Sequence, residues 1–100
     1  GAAGGPRIIT CALQTICRVV DLGQSIQEAL EAPRVHHQWR PAEAVVEERM
    51  DAASVAGLTA LGHEVRRIAA SATAQGIAWT ADGQLTAAAD SRAGGLALVE

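Results

Sequence analysis

Proline and glycine residues punctuate this chain and limit where its first helices can begin and end. Pro6 suits the first position of a helix, because its missing N–H and fixed φ cost nothing there. Gly23 can supply the left-handed cap that ends a helix. Between them, large aliphatic residues recur at helical spacing, which predicts a first helix that begins at about Pro6. Its aliphatic stripe consists of Ile9, Leu13, Ile16 and Val20.

A second, shorter helix is predicted over residues 26–32. Ser25 followed three residues later by Glu28 forms a capping-box pattern, in which each side chain bonds an otherwise unpaired backbone N–H. Pro33 cannot continue the helix, so both of its ends are marked in the sequence.

Extended and helical patterns then alternate. After an extended stretch broken by Pro41, the β-branched centre of residues 44–47 predicts a short strand. Asp51 can cap a third helix that ends at Gly62, and residues 64–68 have the pattern of a further strand.

The last elements form a hairpin. Residues 75–80 and 84–89 flank a turn in which Asp82-Gly83 can adopt the positive φ angles that a tight connection needs. The mixed order of elements predicts an α/β or α+β fold, with about three helices and a mixed, partly antiparallel sheet. No internal domain boundary is visible, so residues 1–100 are expected to be a single piece.

The apolar residues of this chain are mostly small. Hydrophobic residues make up 49% of the sequence, yet 22 of them are Ala, and Phe and Tyr are absent. A buried Ala contributes much less transfer free energy than a buried Leu or Ile. The composition therefore predicts a piece that is more stable when packed against other polypeptide.

Charge and hydropathy argue against two classes of partner. The net charge is −3 and the basic residues are eight scattered Arg, of which only Arg66-Arg67 are adjacent, so no stripe could neutralise a phosphate backbone. No apolar run reaches the ~18–20 residues of a membrane helix, and no charged-then-apolar leader precedes Gly1. We expect neither nucleic-acid binding nor a membrane span in this piece.

Cysteine and histidine give no sign of a disulfide or a metal site. Cys11 and Cys17 would lie ~9 Å apart along one helix, too far for a bridge, and are expected to be small buried hydrophobes. His36 and His37 would point to opposite faces of an extended segment with no third ligand at a recognisable spacing, so they are expected to be structural. His63 is expected at a helix end or on the surface. No cofactor or metal is predicted.

Other polar and aromatic residues have ordinary structural interpretations. Trp39 and Trp79 are expected to hold the core or an interface in a chain with few large side chains. Asp90 and Arg92 could contact a substrate, although a structural pair is the simpler interpretation. The charged run at residues 47–49 is expected to be a solvated edge.

The opening Gly4-Gly5 pair is the strongest candidate for chemistry. Glycines let backbone N–H groups approach a ligand, and the helix that follows leaves its first donors unpaired, so the loop could bind an anion. In acyl transfer such donors stabilise an oxyanion, and losing one typically costs ~2.7–4 kcal/mol in the transition state. The alternative is that residues 1–5 are a flexible chain end.

Two familiar catalytic arrangements are missing. An N-terminal nucleophile requires Thr, Ser or Cys as the first residue, whereas this chain begins with Gly1. No Ser lies in a G-x-S-x-G turn, which leaves a conventional triad unsupported. The chain alone is therefore expected to catalyse nothing.

Several short segments occur in a distinctive order along the chain. The most specific is the run at residues 32–39, Ala-Pro-Arg-Val-His-His-Gln-Trp. Together with the other segments, and in the same order along the chain, this run resembles the small subunit of γ-glutamyltransferases. The other segments are residues 4–9, 13–14, 20–23, 27–29, 62–65, 82–83 and 89–92.

The resemblance implies the C-terminal region of that small subunit, within an N-terminal-nucleophile hydrolase αββα sandwich produced by autocatalytic cleavage of a precursor. Such enzymes cleave γ-glutamyl amides, glutathione among them, through a γ-glutamyl-enzyme formed on an N-terminal Thr. Gly4 and Gly5 match the family's oxyanion glycines, while the Thr lies upstream of the matching region. The implied partners are the rest of the small subunit, the large subunit and the γ-glutamyl substrate, and family members are often periplasmic, secreted or at the cell surface.

The chain departs from the family pattern at two places, and the first of them, beside the oxyanion loop, leaves the substrate open. Ala2 and Ala3 stand where the family often has Ser or Thr and then Pro, and Ser91 stands where it often has Pro. A related amide acylase therefore remains an alternative. So does a non-catalytic interaction domain that self-associates as a homo-oligomer when isolated, and the balance between transfer and hydrolysis is also left open.

Overall fold

The chain forms three helices and six strands, and the computed structural model describes all of residues 1–100. Both predictions of a side-chain N-cap are confirmed: Ser25 and Glu28 form a complete capping box, and the Asp51 side chain accepts a hydrogen bond from the Ser54 N–H. The elements in order are β1 (Ala2–Ala3), α1 (Arg7–Val20), α2 (Ile26–Glu31), β2 (Val35–His36), β3 (Ala44–Glu47), α3 (Ala52–Ala60), β4 (Val65–Ile68), β5 (Thr73–Trp79) and β6 (Leu85–Ala89).

The elements group into two compact units. One unit comprises Gly1–Ala32 together with Ala72–Glu100, and the other comprises Pro33–Ser71. Each contains a three-stranded sheet, with strand orders β1-β5-β6 and β2-β3-β4. The predicted α+β class with a partly antiparallel sheet is confirmed.

In the first unit, all strands pair antiparallel. The predicted hairpin is present as β5 and β6. The chain start, for which a flexible end was the alternative interpretation, contributes a strand: Ala2 pairs with Ala74, and Gly1 exchanges two backbone hydrogen bonds of 2.9 Å with Gln75. Without β1, the backbone groups along this edge of β5 would have no strand partner. Small residues such as alanine can pair with them, because the hydrogen bonds of a ladder involve the backbone and not the side chain.

The core of the first unit lies between this sheet and the two helices. Leu30 is fully buried at its centre, and Gly76 of β5 leaves room for Ile26, whose side chain lies 2.5 Å from where a Cβ on that glycine would stand. Such cores tolerate little added volume. The buried cluster consists of Cys11, Leu30, Ala72, Ala74 and Ala88. Both cysteines are free, and Cys11 is buried as expected while Cys17 is only half-buried.

Helix α1 turns its aliphatic stripe away from this core. Cys11 is its only buried residue, whereas the stripe that we predicted from the sequence is 57–74% exposed. Exposed aliphatic rows of this kind are typical of surfaces that bind another protein, a membrane or a ligand. The stripe residues are Ile9, Leu13, Ile16 and Val20.

In the second unit, β3 is the central strand of a mixed sheet. It pairs antiparallel with β2 and parallel with β4, and α3 makes the crossover between the parallel strands. All four residues of β3 are buried, and Glu47 is among them at 0% exposure. The prediction that residues 47–49 form a solvated edge is therefore wrong for Glu47, although Glu48 and Arg49 are exposed.

Both tryptophans are exposed, at 74% for Trp39 and 73% for Trp79, so they do not hold the core of this chain. The alternative that they hold an interface stays a prediction. Trp79 occupies one of the outward positions that alternate along β5. Trp39 has a left-handed backbone with φ of 71°, and the Arg40 guanidinium stacks 4.8 Å from its ring centroid. None of the three helices has the length and apolar character needed to cross a membrane.

Candidate functional site

The Gly4-Gly5 loop joins β1 to the start of α1. The Gly4 carbonyl accepts from the Arg7 N–H at 3.3 Å and the Gly5 carbonyl accepts from the Ile8 N–H at 3.1 Å, which fastens the loop to the first helical turn. Both glycines are exposed, and neither of their N–H groups donates a hydrogen bond within the chain. Two adjacent N–H donors at the positive end of a helix are thus available to an anion.

The two positions require glycine for different reasons. Gly4 has φ of 144°, and a Cβ there would lie 2.7 Å from the Cβ and 2.8 Å from the Cα of Ala72. A Cβ on Gly5 would meet no neighbouring atom within 4 Å, but the Gly5 φ of 60° is left-handed. L-residues pay roughly 1–2 kcal/mol in that region. Packing and backbone conformation both select glycine at the first position, and backbone conformation alone selects it at the second.

A buried carboxylate holds the strand beside the loop. Asp90 is 1% exposed, and its Oδ2 accepts from the Ala74 N–H at 2.9 Å, in the residue of β5 that pairs with Ala2. Buried charges of this kind need such partners because desolvation otherwise costs several kcal/mol. Asp90 thereby fixes the start of β5 at Ala74, two residues after Ala72, which lies against Gly4.

Arg92 neutralises Asp90 and joins it to α2. Its Nη1 lies 2.9 Å from Asp90 Oδ1 and donates to the Leu30 carbonyl at 2.8 Å, while its Nη2 donates to the Ala32 carbonyl at 3.0 Å. These carbonyls end a helix and would otherwise lack donors. The predicted structural pairing of Asp90 and Arg92 is therefore present.

Ser91, between them, makes a contact that the sequence did not reveal. Its N–H donates to Glu31 Oε1 at 3.0 Å and its hydroxyl donates to Oε2 at 2.6 Å. These two hydrogen bonds, the hydroxyl first, hold the pKa of the Glu31 carboxyl below its usual value. A proline at this position could make neither bond.

The histidines lie in the second unit, apart from any ligand-like cluster. His36 is buried, and its Nε2 lies 2.9 Å from Gln38 Oε1. His37 is exposed, accepts from the Trp39 N–H at 3.0 Å through Nδ1, and packs edge-on against exposed His63 with ring centroids 5.7 Å apart. No group of three or more His, Cys, Asp or Glu side chains is arranged to hold a metal ion.

The architecture is that of solved γ-glutamyltranspeptidases. The enzyme from Pseudomonas nitroreducens, solved in complex with L-DON, matches 100% of this chain and 53% of its own chain, with a TM-score of 0.88 and 27% identity. The fold therefore defines a chain of the N-terminal-nucleophile hydrolase class. A sequence model described as gamma-glutamyltranspeptidase matches residues 1–99, and the chain belongs to the γ-glutamyltranspeptidase family.

Curated relatives agree with this assignment. The glutathione hydrolase proenzyme of Escherichia coli (strain K12) is 40% identical over 92 residues, which are 92% of this chain and 16% of that protein. The acylase ACY 1 proenzyme of Pseudomonas sp. (strain SE83) is 42% identical over 98 residues, or 95% of this chain and 17% of that protein. The chain thus spans about a sixth of the length of these relatives.

Proposed function

We propose that this chain is the C-terminal part of the small subunit of a γ-glutamyltransferase, in which the Gly4 and Gly5 N–H groups bind the oxyanion of the tetrahedral intermediate. The observation that carries the proposal is the pair of adjacent N–H donors, exposed and without partners, at the start of a 14-residue helix. Family membership supports the substrate class, a γ-glutamyl amide such as glutathione.

The geometry suits the charge that develops in this reaction. Attack on the γ-glutamyl carbonyl converts its oxygen into an anion, which is stabilised most by donors already oriented before the reaction. The loop is oriented by its two carbonyl bonds to α1 and by the packing of Gly4 against Ala72. The dipole of α1 adds partial positive charge at the same end.

The remaining catalytic groups would come from other polypeptide. The resemblance places the Thr nucleophile upstream of the matching region, so residues 1–100 would supply the oxyanion loop and be inactive alone. The rest of the small subunit and the large subunit are the proposed partners, and the exposed stripe of α1 offers them an apolar surface. The intermediate collapses to a γ-glutamyl-enzyme when the amine leaves with a proton, and the γ-glutamyl group then passes to water or an amino acid. Neither step requires a cofactor.

A related amide acylase is the second candidate. The relative that favours it is the acylase ACY 1 proenzyme, whose identity to this chain is 42%. Ala2 and Ala3 also remove a hydroxyl and a ring that the γ-glutamyltransferase pattern often carries beside the loop. Both candidates use the same oxyanion chemistry, so only the acyl group would differ.

A chimera tests the proposal. The chain replaces the 92 matching residues of the Escherichia coli glutathione hydrolase, which supplies the remaining parts. We expect autocatalytic processing and cleavage of a γ-glutamyl anilide, whereas this chain alone releases no aniline from it. A processed, folded chimera that hydrolyses another acyl anilide but no γ-glutamyl anilide would favour the acylase. A processed, folded chimera without either activity would refute the proposal.

A further inference from the structure

Ala72 is the residue against which Gly4 rests. A Cβ built on Gly4 would stand 2.7 Å from the Ala72 Cβ and 2.8 Å from its Cα, so the two residues lie closer together than a side chain on Gly4 would allow. Ala72 itself has φ of 61°, an unusual conformation for a residue with a side chain. The contact therefore joins Gly4, where a side chain cannot fit, to Ala72, whose left-handed backbone is unusual for a residue with a side chain.

The sheet determines where this contact falls. Ala72 directly precedes β5, whose first two residues pair with β1: Thr73 with Ala3 and Ala74 with Ala2. The Ala74 N–H is also held by Asp90. The pairing of β5 with β1 and the buried hydrogen bond from Ala74 to Asp90 thus fix the position of Ala72 relative to the loop.

The other side of Ala72 faces the core. Ala72 is 9% exposed, and it packs in the cluster that contains Cys11, Leu30, Ala74 and Ala88. A close-packed core has little space for additional methyl groups. A larger side chain at this position would meet the core on one side and Gly4 on the other.

We propose that Ala72 is a positioning residue for the oxyanion loop: its Cα and methyl group fix the place of Gly4, and a larger side chain there displaces the Gly4 N–H from the oxyanion. This inference rests on the proposed function for its catalytic consequence. Its structural part, the position of Gly4, does not depend on the substrate.

The test compares Ala72→Val with Ala88→Val in the chimera. Ala88 is 1% exposed in the same cluster, so both substitutions add the same volume to one core and both lower the melting temperature. We expect only Ala72→Val to lower kcat, by at least about tenfold with KM changed less than about threefold, because small misplacements of catalytic groups are costly in the transition state.

Equal kcat values for the two Val variants would overturn the inference. If Ala72→Val does not fold, Ala72→Ser and Ala88→Ser repeat the comparison with one added atom each. If the unsubstituted chimera has no activity, the proposed function fails, and crystal structures of the variants decide the inference separately. Displacement of Gly4 in the Ala72 variant but not in the Ala88 variant supports it, and an unmoved Gly4 in both overturns it.

Discussion

Glu47 shows how a charged side chain can belong to the interior of a small α+β unit. Its Oε1 accepts from the Ser71 N–H at 2.7 Å and its Oε2 accepts from the Arg34 N–H at 3.1 Å, while Arg49 lies 3.9 Å from Oε2. A carboxylate with two backbone donors replaces much of the hydration that it loses on burial. The Glu47 side chain therefore fixes the backbone at both Arg34 and Ser71, by bonding N–H groups that lie outside the strand ladders.

Glu47→Gln should destabilise the chain. The amide retains one acceptor oxygen but turns its NH2 towards a donor, which leaves a buried N–H unsatisfied at a cost of about 1–3 kcal/mol. Urea denaturation followed by circular dichroism measures the difference. The adjacent Glu48→Gln, on an exposed residue, is the matched control and should change stability by less than about 0.5 kcal/mol. Similar losses for both variants would contradict the role given to Glu47.

Among the elements, the contact between Ser91 and Glu31 joins the segment after β6 to the end of α2. The pKa of Glu31 is lowered in the folded chain because Ser91 donates to the ionised carboxylate. A depressed carboxyl pKa contributes stability that is present above the unfolded pKa, near 4.5, and is lost as the pH falls through the lower folded pKa.

Ser91→Ala should therefore lower stability at pH 7 and have a smaller effect below about pH 4, where the unfolded chain already binds the proton. The expected loss at pH 7 is below about 1 kcal/mol, because solvent screens this partly exposed site. Urea denaturation of both proteins across this pH range measures it. A difference that stays constant from pH 7 to pH 3 would show that Glu31 ionisation is not involved.

Most element boundaries could be predicted because their signals are local. The capping box at Ser25 and the strand at Ala44–Glu47 each depend on a few neighbouring residues. The strand at Ala2–Ala3 could not be predicted, since its stability comes from an edge of β5 about 70 residues further along. Trp79 does not pack in the core of this chain, because its register on β5 points it outward, and its side chain type alone could not distinguish the core from the interface that was the other alternative.

The candidate site could be predicted only in part, because only some of its features have a local signal in the sequence. Gly4 and Gly5 were visible as adjacent glycines before a helix, and the resemblance supplied their proposed role. The contact of Gly4 with Ala72 and the strand held by Asp90 depend on tertiary packing, so no local signal marked them. An alanine before a strand looks the same in sequence whether or not it supports a loop.

At the scale of the whole molecule, α1 leaves its aliphatic stripe exposed, and the chain spans 51% and 53% of the chains of two solved relatives. An exposed apolar face is expected where a chain covers only part of a larger fold. We expect the isolated chain to self-associate at high concentration, because four aliphatic side chains on one helix face remain in water. Leu13→Asn should reduce this association in light scattering. Leu96→Asn, on an 81% exposed residue outside α1, is the control and should not. A monodisperse monomer at all concentrations would contradict the expectation.

The measurement that tests the central claim is the kcat of the chimera with Gly5→Pro against Gly5→Ala. Alanine can keep the left-handed φ of 60° at a cost of about 1–2 kcal/mol, and its Cβ meets nothing within 4 Å, whereas proline removes the N–H and its ring also forces φ to negative values. We predict a loss of about 100- to 1,000-fold for Gly5→Pro and less than about tenfold for Gly5→Ala, with both chimeras processed and folded. Equal kcat values for the two variants would contradict the account.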